Sequence, residues 1–86
     1  MLLCDVYRSA RHDGMYLYVA RGHGLGRVPA PLRERFGRAE LALSLRLTPE
    51  RRLARAEAGD VLAAIERRGF YLQLPPRPPS MPGARR

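Results

Sequence analysis

The side chains of this 86-residue chain that are suited to nucleophilic or metal chemistry are few: one cysteine, Cys4, and two histidines, His12 and His23. Asp5 and Asp13 follow two of them directly. Zinc needs three or four such ligands that converge, usually supplied in closely spaced pairs, and no pair here has that spacing. A nucleophilic thiol needs a base and an orienting group beside it, and the sequence offers Cys4 neither. We therefore expect no catalytic residue, no bound metal and no enzymatic activity.

A glycine-rich loop, with Gly22, Gly24 and Gly26, lies between a predicted strand and a predicted helix, which is where phosphate-binding turns occur. Its spacing is G-x-G-x-G, which matches neither the dinucleotide fingerprint nor a P-loop. Pro29 and Pro31 also remove two amides that an anion would need at the start of the helix. We interpret the loop as a flexible connector and expect no cofactor.

Tyrosine and arginine form the third group of chemically interesting residues. Four tyrosines alternate with the aliphatic residues of their predicted strands, so in a compatible register they share one sheet surface with Asp5, Ser44, Arg46 and Gln73. An exposed tyrosine surface in a basic domain can stack single-stranded RNA bases while arginines hold the phosphates. The alternative is that a helix covers the tyrosines and makes them a second core. The candidate binding surface consists of Tyr7, Tyr16, Tyr18, Tyr71, Gln73, Arg8, Arg21, Arg27 and Arg46.

The charge of the chain is basic, at +8, and all sixteen basic residues are arginine. Arginine suits phosphate binding, but a GC-rich coding bias would also enrich arginine, alanine, glycine and proline, and we favour that explanation. Residues 1–74 contain thirteen arginines and eight acidic residues, a net charge of +5. A hydrophobic fraction of 45% excludes wholesale disorder, and no apolar run reaches the ~20 residues of a membrane span. The lone cysteine and the lack of a signal-peptide pattern predict a cytoplasmic protein.

Alternating hydrophobicity predicts four strands. The first two, residues 2–8 and 15–19, form a hairpin around Asp13 and Gly14. The third, residues 40–47, places four leucines on one face, and the fourth, residues 69–74, ends at Pro75. We expect Phe70, Leu72 and Leu74 to be buried on one side of that last strand, and the rest of the chain to dock onto it.

Two helices are predicted between the strands. The first spans about residues 31–36, with proline near its start and Gly37 just after its end. The second spans residues 58–68 and ends at Gly69, a natural left-handed cap, so it folds back along the fourth strand. Connections of about twenty residues, each with a helix, allow parallel crossovers. The prediction is an α/β fold in the order ββαβαβ, with a mixed sheet in which strands two, three and four are parallel.

The chain resembles the YcgL-domain family of small bacterial proteins over residues 1–79. The resemblance rests on six segments in order and at these spacings: residues 4–9, 15–19, 27–29, 36–37, 53–56 and 69–76. The ending Tyr-Leu-Gln-Leu-Pro-Pro is the most specific of them. The resemblance implies a small three-layer α/β/α sandwich with one helix on each face of the sheet, and no established activity. It divides the chain into a domain of residues 1–76 and a Pro/Arg-rich tail of residues 77–86, which we expect to be disordered.

Two functions follow as hypotheses. The favoured one is a non-catalytic accessory protein that associates with RNA, because the tyrosines and arginines would then form one surface. The alternative is a protein-interaction adaptor that uses an exposed sheet edge or the proline-rich tail. RNA or another protein is therefore the expected partner, and a membrane is not.

Overall fold

The computed structural model describes residues 2–53 and 56–75, and these form a small α/β fold of four strands and two helices. The proposed tail, residues 77–86, lies outside the described residues. In chain order the elements are β1 (Leu2–Ser9), β2 (Tyr16–Ala20), α1 (Ala30–Phe36), β3 (Ala39–Leu47), α2 (Ala58–Arg68) and β4 (Phe70–Gln73).

The hairpin of β1 and β2 is confirmed, with Val6 opposite Tyr18. Its turn is held by the buried Ser9, whose hydroxyl donates a hydrogen bond to the backbone oxygen of Phe36 (2.5 Å) and accepts one from the amide of His12 (2.9 Å). Gly14 supplies the positive φ of 88° that the turn needs. The turn is therefore fixed to the end of α1 as well as to its own strands.

The sheet has the strand order β3-β1-β2-β4, and all three neighbouring pairs are antiparallel. The prediction of a mixed sheet with strands two, three and four parallel is wrong. The hairpin of β1 and β2 forms the centre, β3 pairs with the other side of β1, β4 pairs with the other side of β2, and each of them runs antiparallel to its neighbour. The prediction that the rest of the chain docks onto the last strand is also wrong, since β4 is an edge strand and β1 and β2 form the centre.

The helices end as the sequence predicts. In α1, the amide of Gly37 donates a hydrogen bond to the backbone oxygen of Arg33 (3.0 Å). In α2, whose predicted bounds are confirmed, Gly69 has φ of 93° and its amide donates to the backbone oxygen of Ile65 (2.8 Å). This single glycine turns the chain directly from α2 into β4, so that the helix packs along that strand.

Two hydrophobic clusters form the core, and neighbouring residues of a strand belong to different clusters. The strands therefore bury one cluster on each face of the sheet. We call them the α1-side cluster, made of Met15, Leu17, Val19, Val28, Phe36 and Phe70, and the α2-side cluster, made of Cys4, Val6, Tyr18, Leu47, Ala58, Val61 and Ile65.

The edge strand β3 departs most from its sequence pattern. Its pairing with β1 shifts by one residue between Val6 and Tyr7, which are opposite Leu43 and Leu41. Because this β-bulge reverses the alternation, Leu41 and Leu43 point to opposite faces, and the prediction of one leucine face is wrong. Leu41 and Leu43 are also 57% and 47% exposed. At the other edge the expected burial of Leu74 is wrong too, since the pairing of β4 ends at Gln73 and leaves Leu74 61% exposed.

Candidate functional site

The predicted tyrosine surface is divided between the two faces of the sheet. Tyr16, Tyr18 and Tyr71 pack with the α2-side cluster, whereas Tyr7 packs with the α1-side cluster. The cause is the hairpin register: Tyr7 is directly opposite Leu17, so it shares a face with the aliphatic residues of β2 and not with its tyrosines. The prediction that all four tyrosines share one surface is therefore wrong.

The polar residues of the candidate surface are divided in the same way. Gln73 is opposite Tyr16 and stays with the tyrosines. Asp5 and Ser44 are opposite each other in β1 and β3, on the face of Tyr7, and the Ser44 hydroxyl lies 2.6 Å from a carboxylate oxygen of Asp5. The register thus leaves a smaller set on the α2 side: Tyr16, Tyr18, Tyr71 and Gln73.

Two of these tyrosines are part of the packed structure. The rings of Tyr18 and Tyr71 meet edge to face, with centroids 5.8 Å apart and an interplanar angle of 77°. The Tyr18 hydroxyl is 3.2 Å from Oε1 of Gln73, and both side chains are buried. Burial of these two polar side chains is less costly because the Tyr18 hydroxyl and the Gln73 carbonyl oxygen bond each other. Stacking of a base on Tyr18 is accordingly blocked, whereas Tyr16 and Tyr71 are both half-buried.

An open groove adjoins this pair on the α2 side. It has a volume of about 420 Å³, within the range of small-ligand sites. Its floor consists of strand residues, among them Tyr16, Leu43 and Gln73, and its wall is the segment that follows β3. We call it the tyrosine–arginine groove, and its lining consists of Val6, Tyr16, Tyr18, Ala42, Leu43, Leu45, Arg51, Arg52, Leu53 and Gln73.

The wall of the groove brings two adjacent cations, Arg51 and Arg52, to the sheet. The amide of Arg51 donates to the backbone oxygen of Thr48 (3.0 Å), which makes a turn directly after β3. Arg52 forms an antiparallel bridge with Glu57, and Leu53 packs against the α2-side cluster. The sequence pattern does not single out these arginines, because the segment lacks periodicity. The available signal was the pair of arginines directly followed by an apolar residue that can anchor them to a core.

The electrostatics of the groove are positive. No aspartate or glutamate is among its lining residues, while Arg51 and Arg52 are exposed in its wall. Arg8 lies beside it, directly opposite Tyr16 in the neighbouring strand. Its Nε is 3.2 Å from Oε1 of Glu40, so one neighbouring cation is already neutralised. The groove therefore combines a planar ring, an apolar floor and two exposed arginines, with Glu57 across the bridge from Arg52. This arrangement is suited to an anion that carries a flat or apolar group.

The other predicted phosphate contacts are scattered. Arg21 follows β2 and is exposed, and its amide donates to the backbone oxygen of Leu3 (2.8 Å). The side chain of Arg27 lies over Gly69, where a methyl group would come within 2.6 Å of its Nε. Arg46 is opposite Leu3, on the face of the sheet away from the groove. The prediction that these arginines belong to one surface with the tyrosines is wrong, and only Arg8 lies near the groove.

The cysteine and histidines do not assemble a reactive site in the described part of the chain. Cys4 is fully buried, and its burial together with the adjacent Asp5 carboxylate raises the pKa of the thiol to about 11. The thiol is therefore protonated at neutral pH and a poor nucleophile. Within residues 2–53 and 56–75, no three histidine, cysteine, aspartate or glutamate side chains are grouped as metal ligands would be. None of the described helices is long and apolar enough to cross a membrane.

Comparison with known proteins identifies relatives along nearly the whole chain. The model of the YcgL domain matches residues 4–76. A YcgL domain-containing protein of Saccharophagus degradans is 52% identical over 79 residues, which cover 92% of this chain and 87% of that protein. One from Chromohalobacter salexigens is 54% identical over 74 residues, covering 86% of this chain and 77% of its own length. One from Stutzerimonas stutzeri is 53% identical over 75 residues, covering 87% and 77%.

Proposed function

The chain belongs to the YcgL-domain family, and we propose that it is a non-catalytic accessory protein that holds a short segment of single-stranded RNA in the tyrosine–arginine groove. The observation that carries the proposal is that Arg51, Arg52 and the half-buried ring of Tyr16 line the same groove. Arginine binds phosphate, and a tyrosine face stacks a base of any sequence, at about 1–3 kcal/mol per base.

The size and polarity of the groove support a single strand over a duplex. A volume of about 420 Å³ accommodates one or two nucleotides, whereas a double helix presents its bases edge-on and stacked. The Tyr18 hydroxyl and the Gln73 side chain are buried and bonded to each other, so they are not available to read the edge of a base. Sequence preference is therefore expected to be weak, and binding should depend strongly on salt.

The three-layer sandwich supports this function as a scaffold. We infer that α1 and α2 cover opposite faces, since each helix contributes to a different core cluster and neighbouring strand residues alternate between the clusters. The groove then lies on the α2 side, near β3, where residues 49–53 and not α2 adjoin the sheet. As part of the same proposal, the protein acts in the cytoplasm.

The test is fluorescence anisotropy of a labelled single-stranded RNA of about 12 nucleotides at about 50 mM salt. We expect the double substitution Arg51→Ala/Arg52→Ala to weaken binding at least about tenfold and to reduce the slope of log K against log salt by about 1.4, the value for two lost phosphate contacts. The matched control is Arg33→Ala/Arg35→Ala, which removes the same charge from exposed positions of α1.

Two results would contradict the proposal. Equal weakening by the two double variants would mean that binding follows net charge and not the groove. Absence of binding below about 100 μM by the unaltered chain at this salt concentration would remove RNA as the ligand altogether. Tyr16→Ala adds a separate criterion, because loss of stacking should weaken binding without changing the salt slope.

A second candidate function is a protein-interaction adaptor, and one observation favours it. The edge strand β3 exposes Leu41 and Leu43, at 57% and 47%, beside unpaired backbone groups. Such an edge is a template for addition of another strand. The proline-rich tail, the other adaptor element of the sequence analysis, lies outside the described residues.

A further inference from the structure

Among the described strands, β3 is a long edge in which a β-bulge limits pairing, but the bulge leaves residues 43–47 regular. It has nine residues, includes no proline or lysine, and carries only Glu40 and Arg46 as charges. Leu41, Leu43 and the adjacent Leu3 of β1 are among the large hydrophobic side chains left exposed. Edges of this kind are normally shortened, charged or covered, because they otherwise pair with another strand. The described part of the chain supplies no cover for β3.

The β-bulge limits how a partner strand can align. Residues 43–47 alternate regularly, whereas the shift at Ala42 sends Leu41 to the face opposite Leu43. If a second copy pairs antiparallel with β3 about a two-fold axis, each residue must lie opposite a residue of the partner whose side chain points to the same face of the sheet. A two-fold axis at Leu45 satisfies this condition over the whole regular stretch. It places Leu45 opposite its own copy and Leu43 opposite the partner's Leu47.

The charges on the other face are complementary in that alignment. Ser44 is opposite Asp5 within the chain, and its hydroxyl is 2.6 Å from the Asp5 carboxylate. With the axis at Leu45, Arg46 of one copy lies across from Ser44 of the other, so that its long side chain extends toward this carboxylate. A parallel partner strand in the same alignment would instead set Arg46 beside its own copy, and like charges directly opposite are unfavourable.

We propose that the β3 edge is a self-association surface, on which a second copy of this chain pairs antiparallel about Leu45 to join two four-stranded sheets. The inference rests on the second candidate function, the exposed edge as an interaction surface, and names its partner. Five paired residues with a few leucines make a small interface, so the dimer is weak and depends on concentration. Arg46 and Asp5 face away from the groove, whereas Leu43 and Leu45 line it, so the dimer contact adjoins the proposed RNA site.

A cysteine placed on the two-fold axis tests the alignment. Cys4 is directly opposite Leu45 within the chain, so the experiment uses a Cys4→Ala background to prevent an internal disulfide. We expect Leu45→Cys in this background to form a disulfide-linked dimer under mild oxidation. Leu74→Cys is the matched control, a leucine exposed at 61% beyond the other edge, and it should crosslink at least about tenfold more slowly.

Sedimentation equilibrium between about 10 and 500 μM, without any cysteine substitution, tests the charges. We expect a reversible dimer at the upper concentrations, at least about tenfold weaker dimerisation for Arg46→Glu, and recovery when Asp5→Arg is added in the same chain. A monomer at every concentration, equal crosslinking of the two cysteines, or no effect of Arg46→Glu would overturn the proposal. A chain that stays monomeric would overturn self-association but would not decide the second candidate function. That function is tested separately, by whether Leu41→Lys abolishes capture of a different protein from lysate.

Discussion

The two edge strands of the sheet differ in how completely they are covered. β4 has four residues, its Phe70 and Gln73 are buried, α2 packs along it, and the Arg68 guanidinium lies 5.5 Å from the centre of the Phe70 ring. β3 has nine residues and leaves Leu41 and Leu43 about half exposed. The difference indicates that β4 serves folding, whereas the apolar residues of β3 are available for binding. Both the groove and the self-association surface lie at the β3 side.

The largest expected effect is at the covered edge. Phe70 is 9% exposed and packs in the α1-side cluster, so Phe70→Ala should reduce the free energy of unfolding by about 3–5 kcal/mol. Urea denaturation followed by circular dichroism measures this change. A loss below about 1 kcal/mol would mean that β4 is less tightly packed than its burial indicates.

The centre of the sheet provides the second prediction, through the thiol of Cys4. With its pKa raised to about 11 from 9.0, the thiolate fraction at pH 8 falls about a hundredfold relative to the unfolded chain. Because burial favours the neutral thiol, the folded state holds the proton of Cys4 more tightly than the unfolded chain does. The contribution of this thiol to the free energy of unfolding is therefore complete below pH 9 and is lost as the pH rises toward 11.

Reaction with a thiol reagent at pH 8 measures the difference, and the chain unfolded in urea is the control. We expect the folded chain to react at least about a hundredfold more slowly. Equal rates would show that β1 opens readily and that the hairpin is not the rigid centre of the fold.

The third prediction concerns the glycine that joins α2 to β4. Gly69→Ala should reduce stability by about 1–2 kcal/mol or more, because φ is 93° and the new methyl group would meet the side chain of Arg27. Gly59→Ala, within α2, is the control: no atom lies within 4 Å of the added methyl group, so it should stabilise by about 0.5–1 kcal/mol. Thermal unfolding of both variants makes the comparison, and a neutral Gly69→Ala would contradict the tight turn.

The smallest expected effect is at the exposed edge. Leu43→Ala should change the free energy of unfolding by less than about 0.5 kcal/mol, measured below the concentration at which the chain dimerises. Comparison of Leu43→Ala with Phe70→Ala measures how differently the β3 and β4 edges contribute to stability. A loss of about 2 kcal/mol or more would mean that Leu43 belongs to the core and that β3 is no binding surface.

Local features of the fold were predictable from the sequence, and long-range ones were not. The bounds of α2 and its cap at Gly69 follow from helical periodicity and one glycine. The hairpin follows from two alternating runs around Gly14. The order and direction of β3 and β4 depend instead on which edge of the sheet each crossover reaches, and the alternation within a single strand does not encode that choice.

The candidate site was predicted only in part for the same reason. Alternation correctly separates the tyrosines of β2 from its aliphatic residues. Whether Tyr7 lies on the same face as those tyrosines depends on the register of the hairpin. In β3, one bulge residue places the residues before it on the face opposite to that expected from alternation. Arg51 and Arg52 lie in an aperiodic segment whose position depends on Leu53 reaching the α2-side cluster. Such a tertiary contact leaves no periodic signal.

The central claim is that the tyrosine–arginine groove binds single-stranded RNA. Titration of the ¹⁵N-labelled chain with a single-stranded RNA of about 12 nucleotides, followed by amide chemical shifts, tests it most directly. We expect the largest shifts at Tyr16, Arg51, Arg52 and Gln73, with the amides of α1 unmoved. Shifts spread over all arginine-rich segments, or confined to the α1 side, would contradict the account.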